Sequence, residues 1–134
     1  MIHYIVMFVM MFIAGILSSM SIWADKFSHV RISLNDVYMS LLMCMWMLFF
    51  MGIWDQFGVA ILVGFVGIII MLFIIRNQLF INSNSYITSM IPHHSMAIFM
   101  SKRLLQKEPK DELKNFASNI VQTQEKEINQ LYKL

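Results

Sequence analysis

Val37–Ile75 reads VYMSLLMCMWMLFFMGIW, then Asp55-Gln56, then FGVAILVGFVGIIIMLFII. Asp55 is the single charge in the stretch. The two flanking runs, Val37–Trp54 and Phe57–Ile75, are each about 18 residues or slightly longer, enough for a helix to cross a hydrocarbon core at 1.5 Å per residue. So short a turn between them predicts antiparallel neighbours. Gly58, Gly64 and Gly67 dot the second run. Small residues let helix backbones approach, although this spacing is not GxxxG.

A third charge-free run, Ile2–Trp23, lies upstream. It lacks a basic n-region and is longer than a signal-peptide core, so it is expected to remain as a span. The chain has 134 residues, 58% hydrophobic and 13% charged. That leaves too little polar sequence to cover three apolar helices in water. The expectation is an all-α, multi-pass protein of the cell (inner) membrane. Residues 1–80 would form a membrane domain with spans at about 2–23, 37–54 and 57–75. Trp23 and Trp54 suit the interface, and Asn35 and Asp36 are the candidate caps of the second span. The net charge of +2 and the lack of a basic patch exclude nucleic acid as a partner. The one cysteine, Cys44, cannot form an intrachain disulfide and reads as a packing residue.

Downstream the chain turns polar. Asn82-Ser83-Asn84-Ser85 breaks the third span, and Ser83 is the expected N-cap of a fourth helix running to about Gln106. Lys102, Arg103 and Lys107 suit its C-terminal dipole. A break at Lys107-Glu108-Pro109 puts Pro109 at the first position of a fifth helix. Its apolar positions recur at spacings of three and four, with Gln124 the one polar member. Residues 83–134 thus form an antiparallel helical hairpin. About fifty residues bury too little surface to stand comfortably alone. A homodimer would complete a four-helix bundle.

The chemistry concentrates in Met90-Ile91-Pro92-His93-His94-Ser95-Met96-Ala97-Ile98-Phe99-Met100. On a helix His93 shares faces with Met90, Met96 and Met100, and His94 lies one turn from Met90. Thioethers select Cu(I), and imidazole suits copper and zinc. The lack of carboxylates argues against calcium, magnesium or manganese. Folding back from Glu108 sets Gln124 opposite His93 and Glu127 opposite Met90, where Glu127 would hydrogen-bond a ligating imidazole. The competing reading makes both histidines ordinary helix residues and the methionines core filler, with Pro92 a simple kink. Methionine is also abundant among the spans. Of fourteen in all, Met39, Met43, Met47 and Met51 recur every fourth residue. The stripe reads as flexible packing, with a copper path as the sharper alternative. No nucleophile–base pair, phosphate loop or paired carboxylates can be assembled, so no enzyme is expected.

Met90-Ile91-Pro92-His93-His94, Ala97 and Met100, followed by Ile120, Gln124, Glu127 and Ile128, resembles the domain-of-unknown-function family numbered 305. The resemblance covers about Ser83 to Leu134 and extends to CopM-like periplasmic copper-binding proteins. It implies half of a ferritin-like four-helix bundle and copper, as Cu(I), as cofactor. It implies Met90, His93, His94 and Met100 as ligands, with Met96 next. Ser83 stands where members often carry an acidic residue, and Leu131 where they often carry methionine.

Two arguments about sidedness diverge. Lys26 and Arg31 in the first loop, with Arg76 after the third span, put the hairpin in the cytoplasm by the positive-inside rule. The resemblance, and a hairpin without thiolates, favour the periplasm. The functional expectation is a membrane-anchored Cu(I)-binding protein for copper handling or tolerance. Its alternative is a non-catalytic membrane scaffold or accessory subunit whose hairpin docks a partner.

Overall fold

A computed structural model describes residues 2–107 and 110–134. The expected turn at Glu108 and the placement of Pro109 fall outside them. Among the described residues all regular structure is helical, as expected. The helices are α1 (Ile2–Leu17), α2 (Leu34–Trp54), α3 (Gly58–Arg76), α4 (Ser83–Leu105) and α5 (Asp111–Leu131), with short 3₁₀ turns at Met20–Trp23 and Phe27–His29. Contacts divide the chain into two compact units. One joins Met1–Ser19 to Ser33–Ile81, and the other joins Met20–Ile32 to Asn82–Leu134.

In the first unit α2 is the middle helix, packed by α1 and by α3. Three stretches, Ile2–Trp23, Leu34–Trp54 and Gly58–Arg76, are long and apolar enough to cross a membrane. Their ends differ from the sequence expectation. Regular α-helix in the first stops at Leu17. Ser18 and Ser19 follow, and short polar side chains compete with helical backbone bonding. The second helix starts at Leu34, and its cap is Ser33 rather than Asn35 or Asp36. The Ser33 amide donates to Asp36 Oδ2 at 2.8 Å, and the Asp36 amide donates to Ser33 Oγ at 3.4 Å. This reciprocal capping box satisfies two of the free amides that any helix start leaves.

The α2–α3 turn is tight because Gln56 takes a left-handed conformation, φ 53°. The Phe57 amide then donates to the Gly52 carbonyl at 2.8 Å, and the Gln56 amide to Ile53 at 3.3 Å. These are the two bonds of a Schellman cap. Asp55 accepts from the Tyr4 hydroxyl at 2.7 Å, which ties α1 to the same end. Close α2–α3 packing rests on Gly64. A Cβ there would lie 2.5 Å from the Phe49 amide nitrogen, whereas one at Gly58 meets nothing within 4 Å.

In the second unit α4 and α5 form the expected hairpin. Asn82 caps α4 instead of Ser83, its Oδ1 accepting from the Ser85 amide at 2.9 Å. The helix runs unbroken through the buried Pro92, which removes one i→i−4 bond and leaves the Thr88 carbonyl without it. The first loop, read from sequence as a connector, lies against α4 and is part of this unit. The Ser21 hydroxyl donates to the Arg31 carbonyl at 2.5 Å and accepts from the Arg31 amide at 3.0 Å, pinching the loop closed at its base.

The Gly64 contact gives a direct test. Gly64→Ala pushes a methyl into backbone that cannot swing aside, and overpacking of this kind costs about 1–3 kcal/mol. It should lower the melting temperature of the detergent-purified chain, followed by circular dichroism. Gly58→Ala should leave the melting temperature unchanged or slightly raised.

Candidate metal-binding hairpin

Successive side chains on a helix point about 100° apart. His93 and His94 therefore cannot both face α5, and the structure assigns that face to His94. Its Nδ1 lies 3.0 Å from Glu127 Oε2 and also hydrogen-bonds Gln124 Oε1. The His94 side chain is 13% exposed, that of Glu127 40%. Gln124 and Glu127 do converge on the motif. The register differs from the sequence expectation, because both meet His94 rather than His93 and Met90. His93 is exposed, with its ring 6.1 Å from that of His94 and nearly perpendicular to it.

The methionines divide in the same way. Met90 and Met96 are half-buried, and Met100 is 54% exposed. Met100 lies two turns from His93, on its face rather than that of His94. Among the described residues no group of three or more His, Cys, Asp or Glu side chains gathers to hold an ion. Any metal here would rely on imidazole and thioether together. The stripe on α2 winds from exposed Met39 and Met43 to buried Met47 and half-buried Met51. That is the drift of about 40° per step that an i+4 ridge must show. Cys44 is fully buried, its thiol 3.6 Å from the Phe8 carbonyl.

Glu127 matters for the chemistry of His94. A carboxylate accepting from Nδ1–H fixes the tautomer, so the lone pair resides on Nε2. That is how outer carboxylates orient metal-ligating imidazoles. The donor set, one oriented imidazole with neighbouring thioethers and a second imidazole, fits a soft monovalent ion better than a hard divalent one.

A second polar cluster had no sequence counterpart. His29 is 7% exposed, and its Nδ1 lies 2.8 Å from Ser95 Oγ, which also accepts from the Asp25 amide at 2.8 Å. The Lys102 ammonium reaches Asp25 at 2.8 Å and Glu125 at 3.4 Å. The hydrogen bond to Asp25 raises its pKa. Arg31 stacks over the Tyr132 ring at 5.3 Å, and the Tyr132 hydroxyl donates to the Ser28 carbonyl at 3.2 Å. A polar cavity of about 120 Å³ opens beside His29, Glu125 and Asn129 and does not include the histidine pair. His29 lies in the first loop, outside every motif that the sequence offers. Its partner Ser95 stands next to His94 in the motif, but no spacing links it to a loop residue 66 positions away.

Fold and site together define an all-α protein with three span-length apolar helices and a histidine- and methionine-bearing hairpin. Residues 82–134 match the family described as "Domain of unknown function (DUF305)". Over 132 residues the chain is 38% identical to "Uncharacterized protein L153" of Acanthamoeba polyphaga mimivirus, covering 95% of this chain and 87% of the relative. The chain belongs to the family of that viral protein, and its hairpin carries the DUF305 domain. No solved structure matches it.

The docked loop should be pH-sensitive. Burial, then the nearby Lys26, lowers the His29 pKa below 6.5. In the unfolded chain His29 gains a proton as pH falls through 6.5, and the folded form resists it. Stability is therefore full above that pH and declines below it, by at most about 1.4 kcal/mol per pH unit until the folded form also protonates. Melting temperatures between pH 8 and pH 5 should show this fall, and His29→Gln should flatten it.

Proposed function

We propose that this protein is a multi-pass membrane protein whose hairpin binds Cu(I) for copper handling or tolerance. The contact of Glu127 with His94 Nδ1 carries the reading. It holds an imidazole with Nε2 available, on a helix where thioethers recur at ligand spacing. Met90, His93, His94 and Met100 are the proposed ligands, with Met96 next, and Gln124 and Glu127 orient His94. The membrane placement is supported by surface. Leu62, Phe65, Ile69 and Phe73 of α3 are each more than half exposed, and a soluble monomer rarely presents so large an apolar patch to water. The basic residues flanking the spans favour a cytoplasmic hairpin. A reporter fused after Leu134 should be active on that side, and activity on the opposite side would reverse the orientation.

A second reading makes the hairpin a docking platform and the protein an accessory subunit. It is favoured by the lack, among the described residues, of three gathered His, Cys, Asp or Glu side chains. A competition titration of Cu(I) on the detergent-purified chain separates the two. The double substitution His93→Ala/His94→Ala should abolish tight binding while circular dichroism stays unchanged, because alanine favours helix. Glu127→Ala should weaken binding by about 10–100-fold without abolishing it, as expected for a residue that orients a ligand. Unchanged affinity in the double variant would leave the docking reading in its place.

A further inference from the structure

α4 uses two of its faces within the unit. Ser95 and Phe99 meet the docked loop, through His29 and Trp23. His94 meets α5. A third face carries Tyr86, Met90, His93, Ala97, Met100 and Leu104. Their spacing is four, three, four, three and four, which is the spacing of a helix–helix seam. Nothing in the unit covers it fully. Tyr86 is 52% and Met100 54% exposed, His93 is exposed, and the other three are half-buried.

We propose that this seam is covered by α4 of a second copy, running antiparallel, and that the copper site is completed across it. The proposal rests on the Cu(I) reading above and adds where the remaining ligands come from. Three observations select a second copy. The spacing reads the same in both directions, so the stripe is complementary to its own reverse, as a twofold interface requires. The seam carries no charge, so two copies meet without repulsion. Arg103 flanks its C-terminal end, while Lys102 is turned away to Asp25 and Glu125. A parallel pair would set this cation against its own copy, whereas an antiparallel pair sets it level with the uncharged Ile87.

Antiparallel pairing about the middle of the seam places Tyr86 in one layer with Leu104 of the other copy, Met90 with Met100, and His93 with Ala97. Each His93 is then one layer, about 4.5 Å along the axis, from a Met90–Met100 pair drawn from both chains. The dimer thus holds two equivalent sites, each joining Met90, His93 and the adjoining His94 of one copy to Met100 of the other. A single chain turns His93 and Met100 outward because each is half of such a site.

Two measurements on the full chain in detergent test this. The first needs no metal. Chains carrying Tyr86→Cys, mixed with chains carrying Leu104→Cys, should form the mixed disulfide on oxidation. Tyr86→Cys homodimers, or no crosslink, would overturn the antiparallel seam. The second is complementation. His93→Ala and Met100→Ala should each lose tight Cu(I) binding alone. Co-expressed, half of randomly paired dimers are mixed, and each mixed dimer keeps one intact site of two. Tight capacity should therefore return to about a quarter of wild type. No recovery would place all ligands in one chain and overturn the shared site while leaving the copper reading intact. A wild-type chain that does not bind Cu(I) would overturn both.

Discussion

The angle of about 100° between consecutive helical side chains governs the hairpin. It divides the segment from Ile91 to Ser95 among different neighbours. Ser95 turns to the loop, where it bonds His29 and the Asp25 amide. His94 turns to α5, where Gln124 and Glu127 take its Nδ1. His93 is left facing outward. Two adjacent histidines therefore play different parts, one held by hydrogen bonds inside the fold and one presented at its surface. Replacing either by alanine removes an imidazole but not the same kind of imidazole.

Polar contacts hold the docked loop, and their energies are unequal. Lys102 bridges Asp25 and Glu125, yet its side chain is 39% exposed, and pairs of that exposure contribute about 0–1 kcal/mol. Their effect is mainly on register, linking the loop to both helices at one ammonium. The buried His29–Ser95 contact weighs more, because leaving either partner unsatisfied costs about 1–3 kcal/mol. Lowered pH acts on this stronger contact, since burial and the neighbouring Lys26 both oppose charge on the ring.

Much of the architecture was legible in the sequence because local chemistry determines it. Charge-free runs of span length gave the three apolar helices, and Asp55-Gln56 gave the tight turn. The apolar repeat of α5 gave the hairpin, and with it the approach of Gln124 and Glu127 to the histidines. The misses have physical causes. Caps fell one to three residues away because several Ser, Asn and Asp residues compete at each start, and only geometry decides that Ser33 and Asn82 win. The facing partners shifted, by one residue for Gln124 and by one helical turn for Glu127, because turn length and side-chain reach cannot be read from a sequence to that precision. Docking of the loop was illegible because its bonds span 66 to 77 residues and follow no period. Ser95 looked like an ordinary helix serine, and Asp25 and His29 like ordinary loop residues.

In the proposed site, imidazole and thioether act together on one copper ion in the hairpin. Copper K-edge X-ray absorption of the Cu(I)-loaded full chain in detergent tests it most directly. Such a site gives a mixed shell of imidazole nitrogen and thioether sulfur that loses its sulfur contribution when Met90 and Met100 are replaced by leucine. A shell of light atoms alone, or a sulfur contribution indifferent to that replacement, would contradict it.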